Sequence, residues 1–345
     1  MSDDADLVIV GAGPCGLAAA ISAQRAGLKP LVIESQVAVS TIAAYPAYVR
    51  FFSTAEKLAI GDLPFVIATE KPSRRDALAY YRAAVLHFAV PLRQRERVAA
   101  IEAPPEAGGK RRSFVVHSRS QAGQERRTAA KAVVVATGYF GSPNRIGVPG
   151  EDLPHVSHTY HEGHEAFLQD AVVVGGGNSA AEAALDLWRS GARGTLVHFG
   201  PTFDKKIKPW VLPDFTNRVK EGVIGARWNA RVVAIEPEHV VIRTPQGEER
   251  LKADRVYLMT GFAPSVDLLR EIGVPIDPQT GIPAHNPETL ETSVPGLYIA
   301  GVVVAGYDAN KVFIENGRYH GDRIVAHLLG KRAPSEPKLS AELDT

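Results

Sequence analysis

Two glycine turns of one build, GAGPCG at residues 11–16 and GGGNSA at 175–180, constrain the fold more than any other feature of this chain. Each stands between a short apolar run and an Ala-rich stretch. The run before the first turn, residues 5–10 (ADLVIV), is rich in β-branched residues, too short for a helix and ended by glycine, so it reads as a strand. The Ala-rich stretch reads as a helix that stops at Gly27, and 29–34 (KPLVIE) as a second strand ending in an acid. Strand, turn, helix and acid together form the dinucleotide fingerprint. Gly11 makes the tight turn, Gly13 lets the backbone approach a pyrophosphate, and Gly16 lets the helix pack on the strand. The helix N-terminus supplies partial positive charge, and Glu34 is placed to accept hydrogen bonds from a ribose diol.

The pattern returns with a strand over 171–174 (AVVV), the second turn, an Ala/Leu helix over 182–189 ending at Gly191, and a strand over 195–199. A repeated βαβ unit without a ligand is the bland alternative, but three consecutive glycines carry an entropy cost that a purely structural turn does not require. His198 stands where the first copy has Glu34. A carboxylate there favours a free 2′-hydroxyl and repels a 2′-phosphate. Its absence, with Lys205, Lys206 and Lys208 downstream, favours NADPH over NADH; the competing reading of these lysines is a solvated loop.

Charge and cysteine content narrow the function classes. Lys+Arg number 39 against 38 Asp+Glu, a net charge of +1, so no basic face for nucleic acid or an anionic membrane is expected. The one cysteine, Cys15, forbids an intramolecular disulfide, a CxxC pair and any Cys-rich zinc or iron–sulfur site, and suits a reducing cytosol. The start, MSDDAD, is acidic where a secretory signal is basic. The uncharged run 292–307 is shorter than the roughly 20 residues that span a bilayer and is broken by Pro295 and several glycines. The expectation is a soluble, cytoplasmic chain.

Two further apolar strands, 132–138 (AVVVATG) and 256–261 (VYLMTG), each end in Thr-Gly; 294–301 (VPGLYIAG) reads as another buried strand and 311–329 as a final helix. The parse is one domain interrupted by another: 1–148 with 263–330, an insert over 149–262, and a loose tail over 331–345.

This arrangement resembles the low-molecular-weight thioredoxin reductase type of flavoprotein. The resemblance implies an α/β fold of two nested, three-layer Rossmann-like domains, FAD in the first and NADPH in the insert. The residues so implicated for FAD are Gly11, Gly13, Pro14, Gly16, Glu34, Thr137, Gly138, Gly301, Asn316 and Gly317. Those for NADPH are Gly175, Gly177, Asn178, Ser179, Ala180, His198, Lys205, Lys206, Thr260 and Gly261. Two departures matter. The stretch 157–163 is SHTYHEG where thioredoxin reductases carry CxxC, and the family's Gly-Asp, whose acid grips the ribityl chain, reads Gly301-Val302. Four segments more closely resemble the YpdA type of bacillithiol disulfide reductase: 45–65 (YPAYVRFFSTAEKLAIGDLPF), 206–215 (KIKPWVLPDF), 285–306 (HNPETLETSVPGLYIAGVVVAG) and 313–321 (FIENGRYHG). That group also lacks CxxC and keeps a cysteine in the first glycine turn. It implies NADPH-dependent reduction of a low-molecular-weight disulfide by a homodimer or homotetramer.

The expected chemistry is hydride transfer from nicotinamide to flavin, then two electrons to the disulfide. Cys15, at a helix start whose dipole lowers a thiol pKa, is the candidate catalytic thiol; a nearby pyrophosphate acts the other way, and a merely small residue in a crowded turn is the alternative. Tyr45, Phe51 and Phe52 read equally as packing or as a substrate wall. By the same resemblance, Asn316 and Gly317 point backbone donors at the flavin pyrimidine edge. His155, His158, His161 and His164 recur every third residue, but no thiol and few acids accompany them, so no metal is expected. A flavin monooxygenase is disfavoured because the FxGxxxH signature is absent. The rivals left standing are a ferredoxin- or flavodoxin-reducing flavoprotein, which needs no protein thiol, and a non-catalytic NADPH/flavin sensor.

Overall fold

In a computed structural model, residues 4–103, 113–204 and 207–334 are described. The chain forms two compact units. One takes residues up to Ala43, Arg50–Ser142 and those from Ala263 on; the other takes Ala44–Val49 with Pro143–Phe262.

The first unit opens with β1 (Ala5–Val10), α1 (Pro14–Arg25) and β2 (Pro30–Ile33). After α2 (Arg74–His87) come β3 (Leu92–Arg93), β4 (Glu96–Glu102), β5 (Phe114–Ser120) and β6 (Glu125–Val135). The sheet order is β3-β2-β1-β6-β5-β4, with Leu297–Ile299 added beside β6. β1 is parallel to both β2 and β6, whereas β4, β5 and β6 form an antiparallel meander. Val8, Val133, Leu297 and Phe114 are buried between these elements. A strand buried on both faces reads as a continuous apolar run, which is why β1 was visible in the sequence and the alternating meander was not.

The second unit repeats the plan with β7 (Asp170–Val174), α3 (Asn178–Arg189) and β8 (Arg193–Val197). β9 (Gly225–Arg227) and β10 (Arg255–Leu258) flank them in a parallel sheet ordered β9-β8-β7-β10, edged by Val156–Ser157. An antiparallel three-stranded sheet spans Arg231–Ile235, His239–Thr244 and Gly247–Lys252. The α/β class and the doubled Rossmann-like plan are as expected.

Two expectations change. The insert begins at Pro143 rather than 149 and recruits residues 44–49, because the Ala47 N–H donates to the His161 carbonyl at 2.9 Å and the Tyr48 ring lies 6.3 Å from that of Tyr160. The single helix over 311–329 is broken: Ile314–Gly317 (α4) and His320–Leu328 (α5) are separate. The Asn316 side chain accepts from the Phe313 N–H and donates to the Lys311 carbonyl, which caps α4 and stops a helix from entering from upstream. Of the expected tail, residues 335–345 lie outside the described residues.

Candidate active site

The first turn is shaped by what cannot fit in it. A Cβ at Gly11, whose φ is +108°, would sit 2.4 Å from the Ala136 carbonyl oxygen, and one at Gly16 would sit 2.1 Å from the Gly11 oxygen. Gly13, the N-cap of α1, faces open space instead, with nothing within 4 Å of a Cβ built there. Pro14 begins the helix, no side chain caps it and its first turn holds no acid. The first-turn amides are therefore donors without a protein partner, as a diphosphate requires. Glu34 is buried and aimed: Oε2 accepts from the Ala12 N–H and Oε1 from the Gln36 N–H, both at 2.8 Å. Lone pairs remain for a ribose diol. The Thr137 hydroxyl donates to the Ser265 carbonyl at 3.0 Å, and Gly138, with φ +76°, also borders open space.

The second turn has the same logic. A Cβ on Gly175 would meet the Met259 carbonyl oxygen at 2.4 Å; Gly177 is the N-cap of α3, again with no side-chain cap and no acid in the first turn. The Asn178 side chain accepts from the Lys208 N–H at 2.8 Å, which ties the downstream loop to the helix start; Ser179 follows in the first turn, and Ala180 is buried. Thr260 donates to the Asn144 carbonyl at 2.6 Å, while the Gly261 carbonyl accepts from the Asn144 N–H at 3.0 Å.

His198, which the count from Gly177 sets level with Glu34, is turned inward. Its ring is buried beneath the turn, so close that a Cβ on Gly176 would lie 2.1 Å from Cε1, and it packs against Phe199 and Trp228. Burial lowers its pKa, which keeps it neutral. Asp204 stands beside this turn, its carboxylate 4.0 Å from a Cβ built on Gly177, a neighbour that counting along the chain did not find. Lys205 and Lys206 lie outside the described residues.

Cys15 also departs from expectation. Its sulfur points inward, 3.3 Å from a Cβ built on Gly301 and 2.7 Å from one built on Gly317. Burial first, and the Glu315 carboxylate second, push the thiol up to about 12. The helix dipole does not win, because the cost of desolvating a thiolate packed toward Gly301 and Gly317 exceeds a partial charge at a helix end. Gly317 is no donor toward a flavin: its N–H is taken by the Phe313 carbonyl at 2.9 Å. Asn316 serves as the cap already described.

Sequence reasoning missed Glu315, Ser53 and His320. Ser53 donates to Glu315 across 262 residues, a pairing no local pattern announces. His320 is buried, and its Nδ1 accepts from the Gly301 N–H at 3.1 Å, which fixes the backbone where the Gly-Asp motif is altered. Burial lowers His320 to about 4 from 6.5. The folded state thus disfavours the proton that the unfolded chain takes up, so stability is retained above about pH 6.5 and lost as pH falls toward 4. His320→Gln is expected to flatten this acid limb in melting curves; an unchanged limb would refute the assignment.

Of the recurring histidines, His158 lies 3.4 Å from Glu151, a carboxylate already accepting from the Ile146 and Gly147 amides. Among the described residues no cluster of three or more metal-ligating side chains occurs, and no helix is long and apolar enough to cross a membrane. Phe52 is exposed and Phe51 half-buried in the first unit; Tyr45 is half-buried in the second.

The family model of the pyridine nucleotide-disulphide oxidoreductases matches residues 8–301. The chain belongs to that family. This oxidoreductase is 44% identical over 324 residues to the bacilliredoxin reductase Bdr of Bacillus subtilis (strain 168), covering 93% of this chain and 96% of the relative. The solved bacillithiol disulfide reductase Bdr (YpdA) from Bacillus cereus matches with a TM-score of 0.90 and 42% identity over 95% of this chain and 99% of that one. Its counterpart from Staphylococcus aureus gives 0.88 and 37%, over 96% and 99%. The oxidoreductase is accordingly a flavoprotein enzyme that works with FAD and NAD(P)H. Its two glycine turns fit such groups: both leave amides uncapped, and the first carries a pre-aimed carboxylate.

Proposed function

We propose that the oxidoreductase uses NADPH and FAD to reduce a low-molecular-weight disulfide of the bacillithiol class, with no protein dithiol in between. One observation carries the reading: a chain matched along nearly its whole length by relatives named for bacilliredoxin and bacillithiol disulfide holds a single cysteine. No intramolecular dithiol can form, so the acceptor disulfide must itself come to the redox centre. In this reading Gly11, Gly13, Pro14 and Gly16 leave room for the FAD diphosphate, and the amides of α1 hold it. Glu34 orients the ribose, while Thr137, Gly138 and Gly301 line the approach. Gly175, Gly177, Asn178, Ser179 and Ala180 hold the second diphosphate, with Thr260 and Gly261 at the neighbouring strand end. When bound, the nicotinamide supplies a hydride and the flavin passes the electron pair on. Cys15 rests as a thiol and can take part only after losing its proton.

NADPH is favoured because no carboxylate occupies position 198. Asp204 beside Gly177 supports a second reading, NADH, since a carboxylate there accepts from a free 2′-hydroxyl. The deciding experiment is anaerobic oxidation of NADPH and of NADH by the flavin-loaded protein with bacillithiol disulfide, glutathione disulfide or ferredoxin. Bacillithiol disulfide with NADPH is expected to exceed every other pairing by at least about tenfold, the 1.4 kcal/mol that one good charged contact supplies. Ferredoxin turnover without disulfide turnover would establish the rival reductase, and no turnover with any acceptor the sensor.

A further inference from the structure

The meander of the first unit sets like charges face to face. Arg97 on β4 and Arg119 on β5 are direct partners in the antiparallel ladder; both are exposed, and neither forms an ion pair among the described residues. Like charges opposite one another weaken a sheet, so strand pairing gives no reason for this match. The buried face of the same strands is the contrast. There the Glu96 carboxylate lies 2.7 Å from Arg126 and 3.6 Å from Arg93, and accepts from the Ser118 hydroxyl at 2.6 Å. The acid in register with Arg119 is Glu125 on β6, and it too forms no ion pair among the described residues. Arg95, immediately before β4, is a third cation, with a φ of +55° that side-chain-bearing residues seldom adopt. Two bonds hold it there: its N–H donates to the Gln36 carbonyl and its own carbonyl accepts from the Gln121 N–H, both at 2.7 Å. Strain retained in this way is typical of a ligand clamp.

The three arginines line one open depression of about 620 Å³, where Ser35, Gln36 and Gln121 add uncharged polar groups. That volume suits a small molecule rather than a protein surface. We propose that the depression binds a small molecule carrying two or more phosphate groups, distinct from FAD and from the pyridine nucleotide. An arginine fork matches two phosphate oxygens at once, and two phosphates offset the like charges of the ladder pair. FAD does not answer this description: its one diphosphate is assigned to the uncapped amides of α1, and it has no further phosphate for these arginines. The site lies wholly in the first unit, and its occupancy is independent of which disulfide is reduced.

The test is calorimetric titration of the FAD-loaded protein, saturated with NADP+, with inorganic pyrophosphate at low ionic strength, where exposed charges are least screened. One site per chain is expected, weakened at least about tenfold in Arg97→Gln/Arg119→Gln while flavin content is unchanged. Removing one cation relieves the ladder, so unliganded Arg97→Gln is expected to melt slightly above the wild type, which an arginine kept for structure would not allow. Should the double variant not fold, the two single variants decide. Adenosine diphosphate run in parallel separates the sources of this chemistry: tighter binding than pyrophosphate assigns a nucleotide, and equal or weaker binding a phosphate compound without a base. The proposal is overturned if neither compound binds, or if the arginine variants bind them as the wild type does. Loss of flavin with the arginines overturns it too, because the pocket would then serve FAD. Hexaglutamate bound more tightly than pyrophosphate does the same, in favour of an acidic protein partner.

Discussion

Gly16→Ala is expected to purify with less than about one-tenth of the wild-type flavin, and with stability lowered by roughly 1–3 kcal/mol from overpacking. The added methyl would lie 2.1 Å from the Gly11 carbonyl oxygen, a backbone atom with no rotamer to escape into. Either α1 retreats from the turn or Gly11 moves, and Gly11 is itself held by the Ala136 oxygen 2.4 Å from its Cβ position. Both movements misplace the amides of α1 and the Ala12 N–H that aims Glu34. The flavin-to-protein absorbance ratio and a melting curve check this. A fully yellow variant of normal stability would mean that the turn can yield, and would remove the argument that its glycines are fixed by packing.

A glycine-to-alanine change in the turn of the other unit has a different signature. Gly176→Ala drives a methyl to 2.1 Å from the His198 ring, which Phe199 and Trp228 hem in with centroids 4.5 and 6.1 Å away. The turn must shift, so KM for NADPH is expected to rise at least about tenfold, while flavin content stays at the wild-type level. Removing the obstacle should undo the damage. The double variant Gly176→Ala/His198→Ala is expected to recover most of the loss, a coupling that independent sites would not show. If the double variant is as impaired as the single, the ring is not what the methyl strikes.

Much of the site was legible because the fingerprint is local. Gly11, Gly13, Gly16 and Glu34 lie within one βαβ unit, and the Cβ contacts explain Gly11 and Gly16, whereas Gly13 borders open space. What failed was whatever depended on direction. Counting along the chain put His198 level with Glu34, but the ring turns under the loop rather than toward a ribose. A helix start suggested an activated Cys15, yet the sulfur faces α4, and burial decides its ionisation. The last helix looked continuous because Asn and Gly are tolerable in a helical pattern; the Asn316 side chain instead bonds backbone that a continuous helix would use. Ser53 and Glu315 meet only after the chain returns from the second unit, so no window of sequence contains their relationship.

The six residues Ala44–Val49 bear on how freely the second unit can be exchanged for another. A recombinant that swaps only the stretch between Ser142 and Phe262 would leave the resident hexapeptide to find a His161 carbonyl and a Tyr160 ring on a foreign host. The half is not a cassette with two ends but a graft with four sutures. Chimaeras that also carry the hexapeptide across are the ones expected to retain the melting temperature of the donor.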